Sequence, residues 1–145
     1  MSALIQNHGP LAEPRRTSGR VYGYKPGEPE VCFGVECYGR QASALTKRLL
    51  PPGTRVRLAT EPATDRVDQY GRLLRYVIRA SDGLNVNVRL VAVGAAAPYF
   101  YRGRRGRYSA VLERLALRAR SQRLGLWGAC PHTRYATDAG VQTVR

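Results

Sequence analysis

Arg72 is the residue whose surroundings best suit it to chemistry. It follows the turn Asp68-Gln69-Tyr70-Gly71 and opens an apolar run of Leu73, Leu74, Tyr76, Val77 and Ile78. Gly71 permits a sharp bend, and branched and aromatic residues suit a pleat, so the pattern predicts a loop delivering one guanidinium to the mouth of a strand. A guanidinium held there forks two hydrogen bonds onto a phosphate and keeps its charge at neutral pH. The chemistry indicated is that of phosphodiesters. A second basic group, Arg102, Arg104, Arg105 and Arg107, follows the aromatic trio Tyr99, Phe100 and Tyr101. It reads either as an electrostatic groove for a polyanion or as a solvated loop, which is what charge runs most often are.

The composition agrees with a phosphate-rich partner. The chain has 145 residues, with 24 Lys and Arg against 10 Asp and Glu, a formal charge of +14 and a pI near 10.7. Only Lys25 and Lys47 are lysines. Such a balance favours nucleic acid, because each neutralised phosphate releases counterions. The length suits one domain with a single core. No apolar run approaches the roughly 20 residues of a membrane span, and the N-terminus lacks a basic segment followed by an apolar one. The expectation is a soluble chain without a membrane partner or an export signal.

The elements that must position Arg72 follow from periodicity. Residues 1–30 show neither a period of two nor one of 3.6 and carry several Pro and Gly, so they are expected to be irregular. From Arg40 to Leu50 apolar residues recur at Ala42, Leu45 and Leu49, and Pro51-Pro52 closes the pattern, predicting a helix. Thr54 to Thr60 alternates, with Val56 and Leu58 expected on a buried face and Arg55 and Arg57 outside. A polar connection, Glu61 to Tyr70, leads to a second strand from Arg72 to Ala80, closed by the turn Ser81-Asp82-Gly83. LNVNVRLVAVG suits a strand by its β-branched residues and a short helix by its length. Tyr108 to Leu124 reads as an amphipathic helix with Val111, Leu112, Leu115, Ala116 and Ala119 inward and Gly125 as its C-cap. Leu126-Trp127 is expected under the core. Residues 129–145 lack a period and read as a flexible tail.

Taken in order, VECYGRQASALTKRLL, DQYGRLLRYV, SDG with VNVRLVAVG, PYFYR and a basic amphipathic helix ending in LGLW resemble the thermonuclease family, the staphylococcal-nuclease-like domains. The resemblance covers residues 31–128. It implies an α+β fold, an oligonucleotide-binding (OB-fold) β-barrel with three helices, and a mainly helical Val86–Val93. It also implies calcium-dependent hydrolysis of DNA or RNA, single strands preferred. Arg72 matches the family's second catalytic arginine, which steadies the transferring phosphate. Tyr70 matches a phosphate-binding tyrosine, and Gln69 stands where some members have lysine. Tyr99 and Tyr101 match a cleft-lining pair, where base stacking is worth about 1–3 kcal/mol per ring. The ordinary reading of such tyrosines is a half-buried place at a core edge.

The resemblance also implies a front half that is not found. In the family a three-stranded meander carries the first catalytic arginine, two metal-binding aspartates and the glutamate of a D-T-P-E type motif. Residues 1–30 contain no Asp, whereas calcium needs several oxygen ligands with carboxylate charge. Two registers remain. In one, Glu30 is the family's glutamate and Gly27 and Tyr22 take the aspartate and arginine positions. In the other, VYGYKPGEPE is an insert and Thr17-Ser18-Gly19 replaces the motif. Either way no metal ligand is assigned, and the barrel is expected to be incomplete, truncated or rearranged at its front, or completed by a partner chain. If the family fold holds, Cys37 before the first helix and Cys130 after the last lie close enough for a disulfide. A zinc site from Cys32, Cys37, Cys130 and His132 is the alternative, at non-standard spacings. Two functional classes stay open, a metal-dependent phosphodiesterase or a basic nucleic-acid-binding module without a working centre, and a third possibility is an inactive truncated remnant with no function of its own.

Overall fold

The computed structural model describes residues 37–68, 71–130, 133–137 and 140–143. The first element is helix α1 (Gly39–Leu49), followed by strands β1 (Val56–Ala59) and β2 (Tyr76–Arg79). Helix α2 (Val86–Ala92) comes next, then a single 3-10 turn (Tyr101–Gly103) and helix α3 (Ser109–Ser121). One turn of helix, α4 (Leu126–Ala129), precedes strands β3 (Thr133–Ala136) and β4 (Gly140–Thr143). The α+β class holds, with the strands arranged as two antiparallel pairs, β1 with β2 and β3 with β4.

Three helices and one strand make the core. Ala42 of α1, Val86, Leu90 and Val91 of α2, Ala95 and Ala96 after it, and Leu112 and Ala116 of α3 form one buried cluster, with Val77 of β2 packed against it. The inward face read from the sequence of α3 is the one that is buried. The β-branched α2 is helical because its ends are satisfied: the Asn85 side chain accepts from the Val88 amide at 3.2 Å, a standard N-cap. Asn87, buried, turns back to accept the Val77 amide at 2.9 Å, tying α2 to β2. Two asparagines thus overcome the strand propensity of their neighbours.

α2 and α4 meet backbone to backbone. The Leu126 amide donates to Gly94 O at 2.9 Å. A Cβ on Gly94 would sit 2.2 Å from Leu124 O, and one on Gly125 would sit 2.3 Å from Gly94 O; both glycines also have positive φ. Only glycine fits at either position. Gly125 is therefore not the C-cap of α3, which ends at Ser121 with Gln122 as its cap; it opens α4. Leu126 is buried beneath Ala97 and Cys130, with Trp127 packed against them. A disulfide joins Cys37 to Cys130 with Cα atoms 5.8 Å apart, fastening the start of α1 to the end of α4. It consumes two of the three thiolates that the zinc alternative required; Cys32 and His132 lie outside the described residues.

Three further expectations are corrected. The second strand does not begin at Arg72: after an isolated bridge between Val67 and Leu73, regular pairing starts at Tyr76. β1 is not half-buried, since Val56 and Leu58 are 41% and 52% exposed; among the described residues its only strand neighbour is β2. The tail read as irregular contains the β3–β4 hairpin, registered Thr133 with Thr143 through Ala136 with Gly140. Its anchor is Tyr135, whose ring meets Trp127 edge to face at 5.6 Å, and four-residue strands are too short to announce themselves by period.

Tyr76 is fully buried, meets Tyr108 edge to face at 4.6 Å, and its hydroxyl has no hydrogen-bond partner among the described residues. Burial pushes its pKa up to about 12, partly opposed by the charge of Arg107. A tyrosine raised in the folded state contributes its full stability below pH 10, and that contribution is lost as pH climbs toward 12. Tyr76→Phe removes an unsatisfied hydroxyl worth about 1–3 kcal/mol of desolvation. The variant is expected to match or exceed the parent in urea unfolding at pH 7 and to keep more of its stability between pH 10 and 12. A loss at pH 7 would show that the hydroxyl is satisfied.

Candidate nucleic-acid interface

Arg72 is held by Asp68 across a tight loop. The Asp68 amide donates to Arg72 O at 2.9 Å, and the Gly71 amide to Asp68 O at 3.0 Å, with Gly71 at a φ of 76°. One Asp68 carboxylate oxygen accepts the Arg72 amide at 2.9 Å and the other accepts Nε at 2.6 Å. The Asp68 side chain is 1% exposed and that of Arg72 61%. A buried carboxylate thus grips the Nε edge of the guanidinium while much of the side chain faces solvent, the geometry that fixes an arginine for an external anion. The sequence pattern predicted a held Arg72; the holder, four residues earlier, was read only as a turn former.

The basic loop lies beside it. Asp65 accepts from both Arg102, at 3.4 Å, and Arg104, at 3.5 Å. Buried Glu61 accepts the Arg107 amide at 2.8 Å and its Nε at 3.3 Å, and Arg107 Nη2 reaches Thr60 O at 3.1 Å. Arg105 pairs with Glu113 of α3 at 2.6 Å and stands 5.2 Å over the Phe100 ring; the Glu113 hydrogen bond raises its pKa further. Residues 61–68 and 102–107 are thereby stitched together, and Asp68, which holds Arg72, belongs to the first of these segments. The sequence pattern does not mark Glu61, Asp65, Asp68 and Glu113 as positioning residues; three of them sit in the stretch 61–70, whose polarity suggests only a connection.

Tyr99 is half-buried beside the fully buried Phe100, whose amide donates to Thr137 O at 2.6 Å, so the C-terminal hairpin region braces this loop. Tyr101 opens the 3-10 turn, and its side chain is outside the described set, as are Gln69, Tyr70 and Glu30. Arg102 adopts φ 53°, ψ 31°, a left-handed backbone that directs the chain from the aromatic trio into the basic run.

The described carboxylates do not fit a calcium ion. Each of the five is bound to an arginine: Glu61 to Arg107, Asp65 to Arg102 and Arg104, Asp68 to Arg72, Asp82 to Arg79 and Glu113 to Arg105. No group of three or more His, Cys, Asp or Glu among the described residues is arranged to hold a metal.

A small α+β domain with a clamped arginine beside a basic, aromatic loop is of the kind that grips a polyanionic backbone. Residues 14–129 match the model of the staphylococcal nuclease homologue family. The chain belongs to that family, whose domains fold as OB-folds, act on nucleic acids and are nuclease-like in function. The match begins upstream of Cys37, the first described residue.

The buried partner in this network should matter more than the exposed ones. Glu61→Gln leaves the Arg107 contact without its counter-charge in a nearly closed site, and is expected to lower stability by about 1–3 kcal/mol. Glu113→Gln, at a surface pair, is expected to cost about 0–1 kcal/mol. Chemical denaturation of both variants ranks them; equal losses would contradict the placement of Glu61.

Proposed function

We propose that this domain engages the phosphodiester backbone of single-stranded nucleic acid at the Arg72 loop and hydrolyses it, Arg72 stabilising the charge that develops on the transferring phosphate. The observation that supports this reading is the Asp68–Arg72 clamp. Because the guanidinium is oriented before a ligand arrives, little ordering is required at the moment of binding, and donors fixed toward a developing charge lower a barrier more than mobile ones. Tyr99 and Tyr101 would offer stacking surfaces, and Tyr70 and Gln69 further polar contacts; single strands suit such a site because their bases are free to stack.

Calcium is the ion implied by the family resemblance, and it supplies charge neutralisation and activation of water when bound. Its donors are not among the described carboxylates; Glu30, the candidate for the family's catalytic glutamate, lies outside the described residues. An incomplete barrel, or one completed by a second chain, likewise remains part of the proposal.

A second reading, binding without cleavage, is favoured by one observation: all five described carboxylates are already engaged by arginines. Cleavage of a fluorescently labelled single-stranded DNA, with added calcium and with chelator, separates the two. The hydrolytic reading expects turnover that chelator abolishes and that Arg72→Ala reduces by about 10²–10³-fold. Salt-dependent binding with no turnover in any condition would establish the second reading in its place.

A further inference from the structure

A cleft of about 700 Å³ opens at the other end of the β1–β2 hairpin, lined among others by Arg48, Thr54, Arg55, Arg79 and Ser81. The register sets it apart from the Arg72 loop: Val56 pairs with Arg79 at the cleft end, Ala59 with Tyr76 at the other, and Arg72 precedes Tyr76. We propose that this cleft is a second anion site, binding a phosphate group through Arg48, Arg55 and Arg79.

Three features of the cleft carry the proposal. Its lining holds three guanidiniums and no carboxylate. Arg79 is fixed from two sides: Asp82 accepts its Nε at 2.9 Å and pairs with Nη2, and Leu49 O accepts Nη1 at 2.9 Å. This hydrogen bond from Arg79 holds the Asp82 carboxyl at about 2, so the clamp persists across the working pH range. Arg48 and Arg55 are exposed and have no carboxylate partner among the described residues. The backbone there is equally set. The Ala80 amide donates to Arg55 O at 2.9 Å, adding a rung beyond the ladder that keeps Arg55 beside Ser81, and the Thr54 amide closes a turn onto Pro51 O at 3.0 Å.

Charge balance distinguishes this place from the basic loop. Around the basic loop, three carboxylates offset four arginines; at the cleft, one carboxylate offsets three. The C-terminal end of α1 contributes about half a negative charge, which the last-turn residues Lys47 and Arg48 outweigh. The uncompensated charge matches a phosphate mono- or diester, and Arg forks suit its tetrahedral oxygens. The volume accepts the group together with an attached sugar. The phosphate could belong to a nucleic-acid backbone or to a small phosphorylated compound. Because inorganic phosphate alone probes the cleft, the proposal stands or falls separately from the activity assigned to Arg72.

Amide NMR of the full chain, titrated with inorganic phosphate, tests it. The expected result is saturable shifts of the Thr54, Arg55 and Ser81 amides, weakened at least about tenfold in the double variant Arg48→Ala/Arg55→Ala. Arg114→Ala/Arg118→Ala, which removes the same charge from exposed positions of α3, should leave them unchanged. No saturable shift at these amides, or equal loss in both double variants, overturns the proposal. Titrations with three- and nine-nucleotide single strands then assign the source. Shifts at the cleft with the longer strand, together with Leu73 and Leu74, mark a backbone phosphate. Shifts with inorganic phosphate and with neither strand mark a small phosphorylated ligand. Shifts at Leu73 and Leu74 alone, with a cleft silent to all probes, overturn this site and leave the Arg72 reading intact.

Discussion

The structure depends on a shortage of carboxylates. With 24 Lys and Arg against 10 Asp and Glu, mutual repulsion opposes compaction, and few counter-charges exist to relieve it. Each of the five described acids is used to hold at least one arginine in place. Two of them, Glu61 and Asp68, are buried, where a carboxylate is tolerated only because its oxygens are hydrogen-bonded and its charge is matched. The consequence is that guanidiniums which would otherwise sample many rotamers are held in set orientations, Arg72 and the basic-loop arginines in one region and Arg79 at the far end of the β1–β2 hairpin.

That presentation needs a stiff support. The glycine contact between Gly94 and Gly125 lets the end of α2 and the start of α4 touch through their backbones, and the Cys37–Cys130 disulfide joins α1 to the far side of α4. Asn87 fixes α2 to β2, so the loop that carries Arg72 enters β2 from a strand already tied to the helical core. The apolar faces of Val56 and Leu58 are the part of this support that the described residues leave open, on the strand whose outer edge they also leave unpaired.

Much of this was legible in the sequence where a pattern is local. The apolar positions of α1 and α3 recur at helical spacing, and Gly71 before Arg72 marks the bend. α2 needed more than propensity: its valines favour a strand, and the decisive residues, Asn85 and Asn87, act through single hydrogen bonds that periodicity does not register. The positioning acids were illegible for a related reason. Glu61 and Arg107 are remote in sequence and meet only through the fold, and Asp68 looked like a turn residue because its neighbours are Gln, Tyr and Gly. The β3–β4 hairpin is illegible because its four-residue strands are too short to show a period, and what holds it is tertiary: Tyr135 on Trp127 and the hydrogen bond from the Phe100 amide to Thr137 O.

Asp68 is proposed to work on phosphate through Arg72. A double-mutant cycle measures it: affinity of a labelled single-stranded oligonucleotide, at fixed ionic strength, for the parent, Asp68→Asn, Arg72→Ala and the double variant. Asp68→Asn is expected to weaken binding in the parent and to have no such effect once Arg72 is absent. If Asp68→Asn strengthens binding by removing a negative charge, or weakens it equally in both backgrounds, the clamp does not orient Arg72 for a ligand and the account is wrong.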